Sequence, residues 1–79
     1  MEDTTFKAIE YFVNGEKQRS DEVKLTVGAI LERAGFTPIH EYELTRDSDG
    51  HTYKHYDHEV ELHKDEKFTA TYTGPTPVS

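Results

Sequence analysis

The segment Leu25–Phe36 (LTVGAILERAGF) constrains this chain more than any other. Val27, Ile30, Leu31 and Ala34 recur at i, i+3, i+4 and i+7, which is one face of an α-helix. Thr26 stands where an N-cap hydroxyl accepts from a free N–H of the first turn. Leu25 and Ile30 occupy the positions of a hydrophobic staple. Gly35 supplies a left-handed residue just past the end, and Phe36 can fold back on Leu31. Arg33 lies in the last turn, where the helix dipole favours a cation, and Pro38 blocks continuation. Such a helix has about two turns, short of the ~12 residues at which an isolated helix becomes marginal. Packing against a sheet is what can hold it.

The rest of the chain supplies that sheet. Phe6–Val13 reads as a strand with Ile9, Tyr11 and Val13 on one face and Phe6, Ala8 and Phe12 on the other. Asn14-Gly15 follows at once, a strong hairpin signal because both residues tolerate positive φ. The return strand, Glu16 to about Val23, is polar and charged, as suits an edge. His40–Arg46 alternates, with Tyr42 and Leu44 on one side and Glu41, Glu43 and Thr45 on the other. Asp47–Gly50 is a turn. Residues 51–58 have no clear period and read as irregular. Val60 and Leu62 mark a short strand, and Phe68, Ala70 and Tyr72 mark the last one. A single helix between two groups of strands implies a two-layer α+β fold, with a mixed four- to five-stranded sheet and the helix packed across one face. Hairpin, crossover helix, then further strands is the order of a β-grasp. The expected core is Ile9, Tyr11, Val13, Val23, Leu25, Val27, Ile30, Leu31, Ala34, Phe36, Ile39, Tyr42, Leu44, Val60, Leu62, Phe68 and Ala70.

Composition narrows the function classes. The 79 residues carry 9 Lys+Arg against 16 Asp+Glu, a net charge of −7, which repels phosphate backbones and anionic lipid. No nucleic-acid or membrane partner is therefore expected. No apolar run approaches the ~20 residues that cross a bilayer. The first residues are acidic and polar, which does not suit a secretory signal, so a cytoplasmic monomer is expected. The absence of cysteine excludes disulfides, thiol nucleophiles and thiolate zinc sites. No nucleophile elbow and no phosphate-binding glycine spacing is present. A chain this short has a thin core and little room for a closed catalytic cavity, so a binding role without cofactor is expected rather than an enzyme.

The string Phe12-Val13-Asn14-Gly15-Glu16, then Leu25-Thr26 with Ile30-Leu31, then Ala34-Gly35-Phe36-Thr37-Pro38, then Tyr42-Glu43-Leu44, resembles the bacterial ubiquitin-like proteins of the multi-ubiquitin type. Val60-Glu61-Leu62 and the strand with Phe68 fit as well, so the resemblance spans roughly residues 8–73. It implies a ubiquitin-like β-grasp domain over residues 1–73 with a disordered tail over 74–79. It implies a modifier or interaction module of a bacterial conjugation-like system, travelling with an activating enzyme, a conjugating enzyme and a JAMM-type metallopeptidase. In that family a C-terminal glycine carboxylate is adenylated and passed to a nucleophile. The tail here departs from the pattern: it has no Gly-Gly pair, and Gly74 is the one glycine after the last strand. Gly74 is thus the candidate for processing or conjugation, although its bond to Pro75 is one that many peptidases refuse. A non-conjugated adaptor that only binds a protein is the first alternative. A sulfur carrier is a weaker one, since it also needs a terminal glycine.

Two surfaces are candidate sites. If Tyr42 and Leu44 face the helix, the open side of the sheet presents His40, Glu41 and Glu43, an acidic surface suited to a basic partner. Phe6 and Phe12 would add a small apolar patch from the neighbouring strand. Separately, His51, His55, His58 and His63 cluster around Asp57 and Glu59. Imidazole with carboxylate suits zinc, nickel or copper(II), so a metal-responsive domain is a further alternative. The plainer reading is a solvated polar loop, with no metal bound. Tyr53 and Tyr56 are expected to seal the bottom of the core.

Overall fold

The computed structural model describes residues 8–74. Its elements are β1 (Ile9–Val13), β2 (Glu16–Ser20), β3 (Lys24–Thr26), α1 (Val27–Arg33), a 3-10 turn (Ile39–Glu41), β4 (Tyr42–Arg46), β5 (His51–Thr52), β6 (Glu59–Glu61) and β7 (Glu66–Tyr72). Five strands form one mixed sheet in the order β2-β1-β7-β4-β5, and β3 pairs with β6 in a separate two-stranded ribbon. Among the described residues only the β1–β7 pair is parallel; the other neighbours run antiparallel. The architecture is α+β, one helix against a mixed five-stranded sheet, and is consistent with a β-grasp-like fold.

The hairpin forms where the sequence places it. Asn14 and Gly15 both adopt positive φ, 53° and 82°. The helix is capped at both ends as its residues dictate. The Thr26 hydroxyl accepts from Ala29 N–H at 3.1 Å. At the other end Gly35 has φ 91°, Gly35 N–H donates to Glu32 O and Phe36 N–H donates to Leu31 O. These are the two bonds of a Schellman ending. Val27, Gly28, Ile30 and Leu31 are buried beneath it. They meet Tyr11 and Val13 of β1, Leu44 of β4 and Phe68 and Ala70 of β7 in one core, which Leu25, Val60 and Leu62 close from the β3–β6 side. Ile9, Ala34, Phe36, Ile39, Tyr42 and Tyr56 pack around its rim.

Three expectations are corrected. Val23 is not in the core but 48% exposed. The cause is a turn: Ser20 Oγ accepts from Glu22 N–H and donates to Glu22 O, ending β2 at Ser20 and swinging the chain outward before Leu25 dips back in. His40 and Glu41 are not in a strand, because Glu41 N–H closes a 3-10 turn onto Pro38 O and β4 starts only at Tyr42. Residues 51–58 are not wholly irregular. His51 and Thr52 pair with Arg46 and Thr45, and Tyr53 turns in to bury its ring.

Candidate functional site

Because directly paired residues share a face of the pleat, the register assigns each side chain a side. Tyr11, Val13, Phe68, Ala70 and Leu44 face α1. The other face has no element packed across it among the described residues. It carries Glu10 and Phe12 from β1, Lys17 and Arg19 from β2, Lys67, Thr69 and Thr71 from β7, and Glu43 and Thr45 from β4.

Phe12 is the aromatic residue of this face among the described residues. Its Cα partners are Lys17 on one side and Lys67 on the other. The Lys67 ammonium stands 5.7 Å from the Phe12 ring centroid, within cation–π range. Lys17 is 3.7 Å from the Glu10 carboxylate, an exposed pair of little energetic weight. Phe12 is half-buried and the lysines are exposed. Across the sheet, Thr45 and Thr52 share a hydroxyl hydrogen bond of 3.0 Å, and Thr69 donates to Asp47 at 2.7 Å.

The open face is therefore divided: three cations, one carboxylate and an aromatic ring lie over β2, β1 and the start of β7, and threonines with Glu43 lie over the rest of β7 and β4. The expected acidic surface misses the first half. Glu43 does lie on the open face, but Glu41 and His40 sit in the 3-10 turn at its end. Phe6 lies outside the described residues. The polar reading of β2 contained the missed signal: with Phe12 placed outward, the NG register puts Lys17 opposite it.

Gly74 lies at the other candidate position. Thr73 N–H and Gly74 N–H both donate to Glu41 O, at 2.7 and 3.2 Å. A Cβ built on Gly74 would come 2.8 Å from the Tyr72 hydroxyl oxygen. The glycine is thus held against the fold, and a side chain there would have to displace the Tyr72 ring. Phe36, Tyr42 and Tyr72 run beside it as an edge-to-face row, with centroids 5.3 and 5.5 Å apart. Residues 75–79 of the expected tail lie outside the described residues.

The histidine-rich loop has a structural task. Its backbone caps α1: Val27 N–H donates to His58 O and Gly28 N–H to Tyr56 O, both at 2.9 Å. These bonds satisfy donors that a helix start leaves open. The Tyr53 ring lies between the His51 and His58 rings, 4.8 and 5.5 Å between centroids. His51, His55, His58 and His63 are all exposed. Among the described residues no group of three or more His, Cys, Asp or Glu side chains is placed to hold a metal ion. At the nearby turn, hydrogen bonds from Arg46 and from His51 N–H hold the Asp49 carboxyl down at about 2.

No family model, curated protein or solved structure matches this chain. No helix among the described residues is long and apolar enough to cross a membrane.

Proposed function

We propose that this chain is a ubiquitin-like β-grasp module that works by binding a protein partner, with the open face of its sheet as the contact surface. The observation that carries this reading is the open face itself. One side of the sheet holds α1, while the other keeps a half-exposed phenylalanine flanked by charged side chains. Half-exposed aromatics with a polar surround are favoured where a surface is covered by a partner. The strand order, with the last strand inserted parallel to the first at the centre, supports the β-grasp assignment.

The test is affinity capture from cell extract with the wild-type chain, Phe12→Ala and, as a helix-side control, Glu32→Lys. A protein retained by the wild type and by Glu32→Lys but lost with Phe12→Ala supports the reading. A retained protein indifferent to Phe12 and lost with Glu32→Lys overturns it.

The conjugated modifier of a bacterial conjugation-like system, with its activating enzyme, conjugating enzyme and JAMM-type metallopeptidase, is the second reading. The position of Gly74 directly after the central strand favours it. The two hydrogen bonds to Glu41 O weigh against it, because a carboxylate at Gly74 would have no free length with which to enter an activating enzyme. Intact-mass analysis of the protein recovered from cells separates the two. Chains ending at Gly74, or joined through it to a second protein, favour the modifier.

A further inference from the structure

We propose that the β2–β1–β7 half of the open face is the docking surface for an acidic, extended segment of a partner protein. This inference rests on the interaction-module reading and adds the chemistry of the partner. The chain is strongly acidic overall, yet three of its nine Lys and Arg residues, Lys17, Arg19 and Lys67, gather on this half-face. The acid among them, Glu10, lies 3.7 Å from Lys17 and offsets one of the three cations, so the half-face keeps an excess of two positive charges. A hollow lined by Ala8, Ile9, Glu10 and Lys64 borders the Glu10 end.

The geometry sets the recognition chemistry. Neighbouring strands lie about 4.8 Å apart, so Lys17 and Lys67 stand on the two strands either side of Phe12, roughly 10 Å from each other at the backbone. An occupant needs an apolar group to cover the Phe12 ring and carboxylates to either side of it. Because every second side chain of an extended segment shares a face, a segment with acidic, apolar and acidic residues at i, i+2 and i+4 has that pattern. Long-range repulsion by the remaining acids works against such a partner, but it is screened beyond about 10 Å at ordinary salt, whereas contacts to the lysines are not. The same repulsion acts on every phosphate of a nucleic acid, which disfavours that occupant.

The test uses the ¹⁵N-labelled chain and two synthetic peptides, one repeating Glu-Ser-Val-Ser (the Glu peptide) and one repeating Lys-Ser-Val-Ser (the Lys peptide), so that one face carries charge and valine in turn. The Glu peptide is expected to shift the amide signals of Phe12, Lys17, Arg19 and Lys67, and the Lys peptide to leave them in place. The double variant Lys17→Glu/Lys67→Glu should weaken Glu-peptide binding at least about tenfold. If that variant fails to fold, Lys17→Gln/Lys67→Gln carries the test, with the same direction and a smaller loss. Equal response to both peptides, no response to the Glu peptide, or shifts confined to other residues overturns the inference. So does a DNA oligonucleotide that displaces the Glu peptide from these residues. Capture that depends on Phe12 does not depend on partner charge. A partner lost with Phe12→Ala, together with no Glu-peptide response, overturns this inference and leaves the module reading standing.

Discussion

The side-chain amide of Asn14 clasps both backbone groups of Ala70. Its Oδ1 accepts from Ala70 N–H at 2.9 Å and its Nδ2 donates to Ala70 O at 3.2 Å. Its own N–H donates to Phe68 O at 2.9 Å. The residue that reverses the hairpin thus also extends the parallel β1–β7 pairing past the end of β1, by presenting an amide where a further peptide unit would stand. The turn and the closure of the sheet by its last strand are one structural event.

Replacing Asn14 by glycine separates the two roles. Glycine keeps the positive φ of 53° without strain. It loses the clasp and leaves the Ala70 groups unpaired, at a cost of about 1–3 kcal/mol. Asn14→Asp keeps the acceptor for Ala70 N–H and should fall between glycine and wild type. Urea denaturation of the three proteins checks the order. Equal midpoints for Asn14→Gly and wild type would show that the clasp contributes nothing.

Gly28 offers a second test, at the contact between α1 and the 3-10 turn. A Cβ on Gly28 would come 2.8 Å from Ile39 Cδ1 and 3.4 Å from Tyr56 O. Alanine gains about 1 kcal/mol of helix propensity at such a site, and the Ile39 contact works against the gain. Ile39→Val removes the obstructing methyl. Gly28→Ala should therefore be more favourable in the Ile39→Val background than in wild type, by about 1 kcal/mol, as a double-mutant cycle would read. Additive effects would mean that Ile39 moves aside without cost.

The parts of the fold that the sequence made legible are those governed by neighbours along the chain. Thr26, Gly35 and Phe36 announce the helix ends because capping bonds span only a few residues. Asn14-Gly15 announces its hairpin for the same reason. What was not legible depends on distant partners. Tyr53 was expected at the core, but nothing near it announces the short strand that carries it there, since its N–H bonds to Leu44 O across the β4–β5 hairpin. Nothing near Val23 says that it will be exposed, because Ser20 spends its hydroxyl on Glu22 and changes the direction of the chain. At the candidate site, Phe12 was visible by alternation. Its lysine neighbours needed the register on both sides, and the partnership with β7 skips most of the chain.

The β4–β5 turn should respond to acid in a defined window. Arg46 meets Asp49 at 2.8 Å and 3.2 Å through two nitrogens, and His51 N–H donates to the same carboxylate. The hydrogen bond from Arg46 is the main cause that holds Asp49 at about 2, below its ordinary 3.8. A folded-state value that is depressed means that the stabilisation is present above pH 3.8 and is lost as pH falls through about 2. A ¹³C titration of the Asp49 carboxyl should therefore give a midpoint near 2, and Arg46→Gln should return it toward 3.8. An Asp49 that titrates at its ordinary value in the wild type would show that the pair does not persist in solution.

At the alkaline end the fully buried phenol is that of Tyr11. Its ring is fully buried and meets Phe68 edge to face, with centroids 6.0 Å apart. Its hydroxyl has no hydrogen-bond partner among the described residues. Burial pushes the Tyr11 phenol above its ordinary 10.0, against a smaller opposing effect of Arg33. Two consequences differ in sign. Below pH 10 the unpaired hydroxyl is a burden, since a buried donor without a partner costs about 1–3 kcal/mol, so Tyr11→Phe should match or exceed the wild type in stability. Above pH 10 the unfolded chain ionises this phenol more readily than the folded one, so the wild type loses stability as pH rises toward the folded value. Tyr11→Phe should lose less over that range. Phe68→Ala, which opens a cavity beside the same ring, should cost about 3–5 kcal/mol at neutral pH. Thermal melts of the three proteins from pH 7 to 11 check this. A Tyr11→Phe variant clearly less stable than wild type at pH 7 would mean that an ordered water serves the hydroxyl, because only a satisfied donor is costly to delete.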